Sequence, residues 1–201
     1  MSNKLKRYIS KYLESISPLD VYISEEQIEK ICTYILTLSK WTKKTNLTGI
    51  STPEQIFEEL IVDSIHLADL LFKETLIFHQ NELSAMGLRP LEPPKIKNNK
   101  NKSTENQKEA LINQSFLKDK RSSYQSFLDI GAGAGIPGIA FRILYPHGEY
   151  LMVEPRKKRN VFVSLMIKTL KLQKTTLFPY RIEELSGTHQ FDICLSRAFC
   201  P

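Results

Sequence analysis

Residues Ser126-Phe127-Leu128-Asp129-Ile130-Gly131-Ala132-Gly133-Ala134-Gly135-Ile136-Pro137-Gly138 read as a short apolar strand that ends in an acid and leads through alternating glycines into a helix. Glycine in such a turn lets the backbone bend tightly and lets a ligand approach the main chain with no Cβ in the way. Tyr150-Leu151-Met152-Val153-Glu154 reads as the next strand, with Glu154 standing 19 residues beyond Gly135. A carboxylate at that place in a strand-helix-strand unit can accept both ribose hydroxyls of an adenosine. Together the two features point to a nucleoside cofactor at the carboxyl edge of a sheet. The bland alternative is a glycine turn that serves only a tight strand-to-helix connection.

Downstream, Thr175-Thr176-Leu177-Phe178 and Phe191-Asp192-Ile193-Cys194-Leu195 supply a third and a fourth strand. Helices are expected over Pro137 to Tyr145 and Arg156 to Lys171, the latter with Val161, Leu165 and Ile167 on helical spacing. Strands alternating with helices at these lengths predict an α/β fold with a parallel sheet. Upstream, the chain reads as helical. Leu5, Tyr8, Ile9, Tyr12 and Leu13 share one helical face, and Pro18 ends that pattern. Ser24-Glu25-Glu26-Gln27 has the form of a capping box, followed by the stripe Ile28, Ile31, Ile35, Leu38 and Trp41. Thr52-Pro53-Glu54-Gln55 opens a third helix with a capping side chain and a proline at its first position, and Ile56, Phe57, Leu60, Ile61, Ile65 and Leu67 continue it toward Phe72.

The expected organisation is a helical region over 1–80, a low-complexity basic insert over 81–123, and the first half of a Rossmann-like core over 124–201. The insert contains Lys97-Asn98-Asn99-Lys100-Asn101-Lys102, with little to bury, so it is read as disordered. Charge is concentrated along the chain and is not general. The chain carries +6 overall, but residues 1–94 hold 10 Lys and Arg against 13 Asp and Glu, residues 95–122 hold 8 against 3, and residues 123–201 hold 10 against 6. Outside residues 95–122 the chain is near neutral, at +1, so bulk charge is poor evidence for a nucleic-acid partner.

No run of 18 apolar residues is present and no uninterrupted apolar stretch follows Lys4, Lys6 and Arg7, so neither a membrane span nor a secretory signal is expected, and the location expected is cytoplasmic. Cys32, Cys194 and Cys200 lack metal or redox spacing and are read as buried thiols; with the histidines scattered, no metal is assigned.

Gly133 to Gly138 satisfies the dinucleotide pattern Gly-x-Gly-x-x-Gly, yet it begins three residues after the strand, contains a proline, and is followed by no phosphate-binding lysine. Asp129 beside the turn disfavours a pyrophosphate and suits a cationic, phosphate-free ligand such as S-adenosyl-L-methionine. An NAD-dependent oxidoreductase is the weaker enzyme reading.

Four stretches, in order along the chain, carry a family resemblance: Trp41-Thr42-Lys43-Lys44-Thr45-Asn46-Leu47-Thr48, Val62-Asp63-Ser64, Asp129 to Gly138, and Ser196-Arg197-Ala198. In these the sequence resembles the bacterial small-subunit rRNA guanine-N7 methyltransferases, also called the glucose-inhibited division protein B family or methyltransferase G. The resemblance covers about residues 24–75 and 124–201. It implies a helical appendage on a Rossmann-like, S-adenosylmethionine-dependent methyltransferase sheet that acts on N7 of one guanine in 16S rRNA or the small ribosomal subunit. By position it implies that Gly131 and Ile136 line the cofactor loop, that Ile182 and Glu183 bracket the adenine side, and that Arg197 closes the pocket; Glu154 is added from the ribose argument above. Relative to that family the sheet is expected to be incomplete at the C-terminus, which makes an inactive, truncated remnant a further reading.

Guanine N7 offers an in-plane lone pair and bears no proton, so its methylation needs orientation rather than a general base, and no catalytic residue is assigned. RNA contacts are expected from Arg156-Lys157-Lys158-Arg159 and, less distinctively, from Lys40, Lys43 and Lys44 around Trp41.

Overall fold

The computed structural model describes residues 2–16, 19, 21–85, 126–185, 187 and 189–197. Pro18, Ala198, Cys200 and the greater part of the expected insert, 86–123, lie outside the described residues.

Four parallel strands form one sheet in the order β3-β2-β1-β4. They are β1 (Ser126–Ile130), β2 (Glu149–Val153), β3 (Thr175–Phe178) and β4 (Ile193–Ser196). Because every pairing is parallel, all four carboxyl ends, and with them every sequence-predicted cofactor residue, emerge at one edge of the sheet. β1 has the expected limits; β2 and β4 begin one residue earlier and two later than read. The expected α/β class with N-terminal helices is the fold that forms.

Helix α1 (Ser2–Ser15) buries Leu5 and Ile9, with Tyr8, Tyr12 and Leu13 packed beside them. Helix α2 (Glu25–Thr45) starts at the predicted capping box: Gln27 N–H donates to Ser24 Oγ at 3.2 Å, and the Ser24 N–H donates to Gln27 Oε1 at 2.9 Å. It stops at Asn46, which adopts a left-handed conformation (φ 52°) and donates its N–H to Thr42 O. Thr42 and Thr48 join through their hydroxyls at 3.1 Å, Leu47 is buried, and Trp41 packs edge-on against Phe162 at 5.4 Å. The Trp41-to-Thr48 motif is thus a helix stop and a packing joint.

The third helix departs from the reading. Helix α3 (Pro53–Ile56) has proline at its start, but the Thr52 hydroxyl donates to Gln55 Oε1 and makes no bond to the helix backbone. It passes into a π-turn over Phe57–Ile61, where the Val62 N–H reaches back to Phe57 O, and continues as α4 (Val62–Ala85). The helix therefore runs past residue 80, where the insert was expected to begin.

Helices α2 and α4 pack on α5 (Gly138–Leu144), the helix that follows the glycine loop. One apolar cluster runs from Leu5, Ile31 and Ile35 through Phe57 and Ile65 to Phe127, Phe141 and Tyr150, so the helices and the sheet share a core. Helix α6 (Lys157–Thr169) corrects a second expectation. Its buried face is Phe162, Val163 and Met166; of the three residues read on helical spacing, Ile167 is half-buried against the core, whereas Val161 and Leu165 are 50% and 40% exposed. Both sets have helical spacing, and the aromatic anchor against Trp41 and Tyr34 sets which one turns inward.

Arg142 holds the amino edge of the sheet. The residue is 2% exposed, and its guanidinium donates to Gly148 O and Gln173 O at 2.8 Å, to the carbonyls of Tyr145 and His147, and to Thr175 Oγ1 at 3.1 Å. Cys32 is buried, as expected, and burial pushes its thiol up to about 11. Cys194, also expected to be buried, is exposed: β4 pairs with β1 alone among the described residues, and its alternating side chains bury Leu195 while Cys194 and Ser196 face outward.

Candidate cofactor site

The loop from β1 to α5 takes positive φ at Gly131 (70°), Gly133 (61°) and Gly135 (82°), which residues with a Cβ adopt only under strain. Two glycines are also fixed by close approach. A Cβ on Gly135 would lie 2.3 Å from Ile139 Cδ1, and one on Gly138 would lie 2.1 Å from Asp129 Oδ2 and 2.5 Å from Met152 Cε. At Gly133, by contrast, a Cβ would meet only Gly131 O, at 3.7 Å, so this part of the loop leaves room for a ligand.

The loop is tied to the neighbouring strand at two points. Ala132 N–H donates to Val153 O at 2.9 Å, and Gly133 N–H donates to Glu154 Oε2 at 2.8 Å. The other carboxylate oxygen of Glu154 accepts the Arg156 N–H at 2.8 Å. Glu154 is 2% exposed, and its carboxylate lies directly against the glycine turn. The loop and the predicted ribose acceptor are therefore brought together.

Asp129 stands behind the same turn. It is 1% exposed, and neither carboxylate oxygen makes a hydrogen bond of good geometry; the nearby Tyr150 hydroxyl likewise lacks a partner. Burial first, and the Glu154 charge second, push the Asp129 carboxyl up to about 7, with the Gly138 N–H acting in the opposite direction. Glu154 against the open glycine turn fits a ligand bearing a ribose, whereas Asp129, buried behind the turn and raised to about 7, is only partly charged at neutral pH. The residues present thus fit the ribose of S-adenosylmethionine.

The other predicted residues are placed as follows. Gly131 and Ile136 lie on the loop, with Ile136 half-buried. Ile182, half-buried, and Glu183, exposed, stand on a 3-10 turn (Ile182–Glu184) after β3, two strands away from the loop. Arg197, just beyond β4, turns toward the helices: its guanidinium donates to Glu59 O at 2.8 Å and Leu60 O at 3.3 Å and lies 3.4 Å from Asp63 Oδ2. These are carbonyls of the π-turn, and Arg197 thereby joins the Asp63-Ser64 motif to the sheet. Arg156, Lys157 and Lys158 are exposed at the start of α6, which has no acid in its first turn.

Sequence reasoning missed the groups that hold the loop from below. The Tyr34 hydroxyl, on α2, donates to Ala134 O at 2.8 Å, with Gly135 O at 3.1 Å; Gln27 Nε2 donates to Ile143 O and Leu144 O; Ser64 Oγ donates to Pro137 O at 3.3 Å. A polar-ended ring within the apolar stripe of α2 was the available signal, because a buried tyrosine hydroxyl requires a partner. Among the described residues no group of three or more His, Cys, Asp or Glu is placed to hold a metal ion, and no helix is long and apolar enough to cross a membrane.

A parallel sheet carrying a glycine loop after β1 and an acid after β2 defines a Rossmann-like fold of the methyltransferase type. Residues 97–201, just over half of the chain, match the family model described as rRNA small subunit methyltransferase G, and the chain belongs to that family. The match begins within the stretch set aside above as an insert. Similar proteins, each called ribosomal RNA small subunit methyltransferase G, include one from Colwellia psychrerythraea, 28% identical over 92% of this chain and 64% of its own length. Another, from Lawsonia intracellularis, is 29% identical over 89% of this chain and 63% of its own length. A third, from Nitratidesulfovibrio vulgaris, is 31% identical over 89% and 62%. The chain thus spans less than two thirds of the length of these relatives.

Proposed function

We propose that this chain is the cofactor-binding portion of an enzyme that methylates N7 of a guanine in 16S rRNA. The observation that supports the reading is the Glu154 carboxylate held 2.8 Å from the Gly133 amide, beside the part of the loop where a Cβ would meet only Gly131 O. S-adenosylmethionine would supply the methyl group. Gly131 and Ile136 would line its loop, Glu154 would accept the ribose hydroxyls, and Ile182 and Glu183 would bracket the adenine from beyond β3. Arg197 would form the β4 side of the pocket through its hold on the π-turn.

Because N7 carries no proton, the protein's task is to orient the base and exclude water, and an orientation effect can supply up to roughly 7–11 kcal/mol of the barrier. The target guanine must be unstacked to be reached. Arg156, Lys157, Lys158 and Arg159 would take its flanking phosphates. Four cations at the positive end of a helix oppose the helix dipole, and an anionic partner would relieve that cost. An rRNA substrate places the work in the cytoplasm.

Calorimetry with S-adenosylmethionine and with NAD tests the cofactor. Binding of the first and not the second is expected, and the reverse would overturn the reading. Gly131→Leu should abolish binding, since a side chain at φ 70° is strained and would distort the loop. Mass spectrometry of 16S rRNA from cells lacking the gene should show loss of one N7-methylguanosine.

A further inference from the structure

We propose that Tyr34 is a positioning residue for the cofactor: from the N-terminal helices, its hydroxyl holds the glycine loop in the conformation that receives the nucleoside. The proposal rests on the cofactor reading above. Each of two successive peptide planes in the loop is gripped on both sides. In the plane between Ala134 and Gly135 the N–H donates to Ala132 O at 2.7 Å while the carbonyl accepts from Tyr34 at 2.8 Å. In the plane between Gly135 and Ile136 the N–H donates to Ala132 O at 3.1 Å and the carbonyl lies 3.1 Å from the same hydroxyl. A single hydroxyl proton is thus shared between two carbonyls, a common arrangement where backbone changes direction.

The grip is needed here because Gly135, at φ 82°, is the residue that could let these planes rotate. Tyr34 is wholly buried, and its ring lies 6.3 Å from that of Phe162, so the hydroxyl cannot swing away without breaking the joint between α2 and α6. Burial and the neighbouring Asp129 charge raise the hydroxyl well above its ordinary range, which keeps it a donor at every working pH. Two further contacts extend the hold along the same segment: Ser64 Oγ on Pro137 O and Gln27 Nε2 on the carbonyls closing α5. Three side chains from two helices distant in sequence therefore converge on backbone carbonyls between residues 134 and 144. The N-terminal helices complete the cofactor loop and are not simply attached beside it.

Tyr34→Phe removes the hydroxyl and keeps the ring, and the full chain serves for the test. Hydrogen exchange in peptides covering 131–139 is expected to quicken about tenfold, with peptides over 149–153 unchanged. The dissociation constant for S-adenosylhomocysteine, measured by calorimetry, is expected to rise about tenfold. Ile9→Ala, which weakens the helical layer away from the loop, should leave both readings at the parent value. Unchanged loop exchange, or an acceleration spread evenly over the chain, would overturn the proposal, as would unaltered affinity in a Tyr34→Phe protein whose parent binds. Should Tyr34→Phe fail to fold, Ser64→Ala is read in the same way over 136–141. A parent protein that binds no S-adenosylhomocysteine overturns the cofactor reading, while the exchange comparison still decides whether Tyr34 holds the loop.

Discussion

Asp129 and Arg142 show what a single buried charge costs and what offsets it. Asp129 has a carboxyl raised from 3.8 to about 7, so the folded chain binds a proton that the unfolded chain has already released. Its contribution favours folding below about pH 4 and is lost as the pH climbs to 7, at up to about 1.4 kcal/mol per pH unit. Asp129→Asn is expected to be more stable than the parent at neutral pH, with the advantage shrinking toward pH 4; equal unfolding midpoints at both ends of that range would contradict the assignment. Arg142 is buried too, but backbone carbonyls and a threonine hydroxyl surround its guanidinium. Arg142→Ala leaves those acceptors unpaired and should cost at least about 3 kcal/mol in urea unfolding. The sequence distinguishes Asp129, which sits where a strand meets a glycine turn. It says nothing special of Arg142, whose partners at 145–148 and 173–175 meet only when the sheet assembles.

At the level of elements, the limits of β1 and the start of α2 were legible because each depends on neighbouring residues: an apolar run closed by glycine, and a serine and a glutamine three apart. The inward face of α6 was not. Val161 and Leu165 suit a helical stripe as well as Phe162 and Met166 do, and only the docking of Phe162 against Trp41 and Tyr34 selects between them. Phe162→Ala should therefore destabilise the fold by about 3–5 kcal/mol, whereas Val161→Ala should fall within about 0.5 kcal/mol of the parent by thermal melting. The π-turn was equally invisible, since Arg197, which satisfies two of its carbonyls, lies more than a hundred residues downstream. The basic start of α6 makes a separate prediction. Replacing Arg156, Lys157 and Lys158 with Ser should flatten the dependence of log affinity on log salt for single-stranded rRNA by about 0.7 per lost phosphate contact. An unchanged slope would remove this cluster from the RNA interface.

For the molecule as a whole, two consequences follow from the sheet order. β4 pairs only with β1 among the described residues, leaving an edge with Cys194 exposed. Protein made as residues 1–201 is expected to self-associate in sedimentation experiments, and a monodisperse monomer at high concentration would contradict this. The parallel order also gathers the ends of all four strands on one side, which is why residues as far apart as Gly131 and Arg197 belong to one region. By itself the sequence determined the class of fold, the glycine loop and the acid paired with it, because these follow from periodicity, from backbone freedom at glycine and from charge placed at fixed short spacing. Only the tertiary structure decided that helices near the N-terminus hold that loop. A hydrogen bond from Tyr34 to a carbonyl a hundred residues away depends on how α2 packs against α5 and α6, and no local pattern encodes that distance.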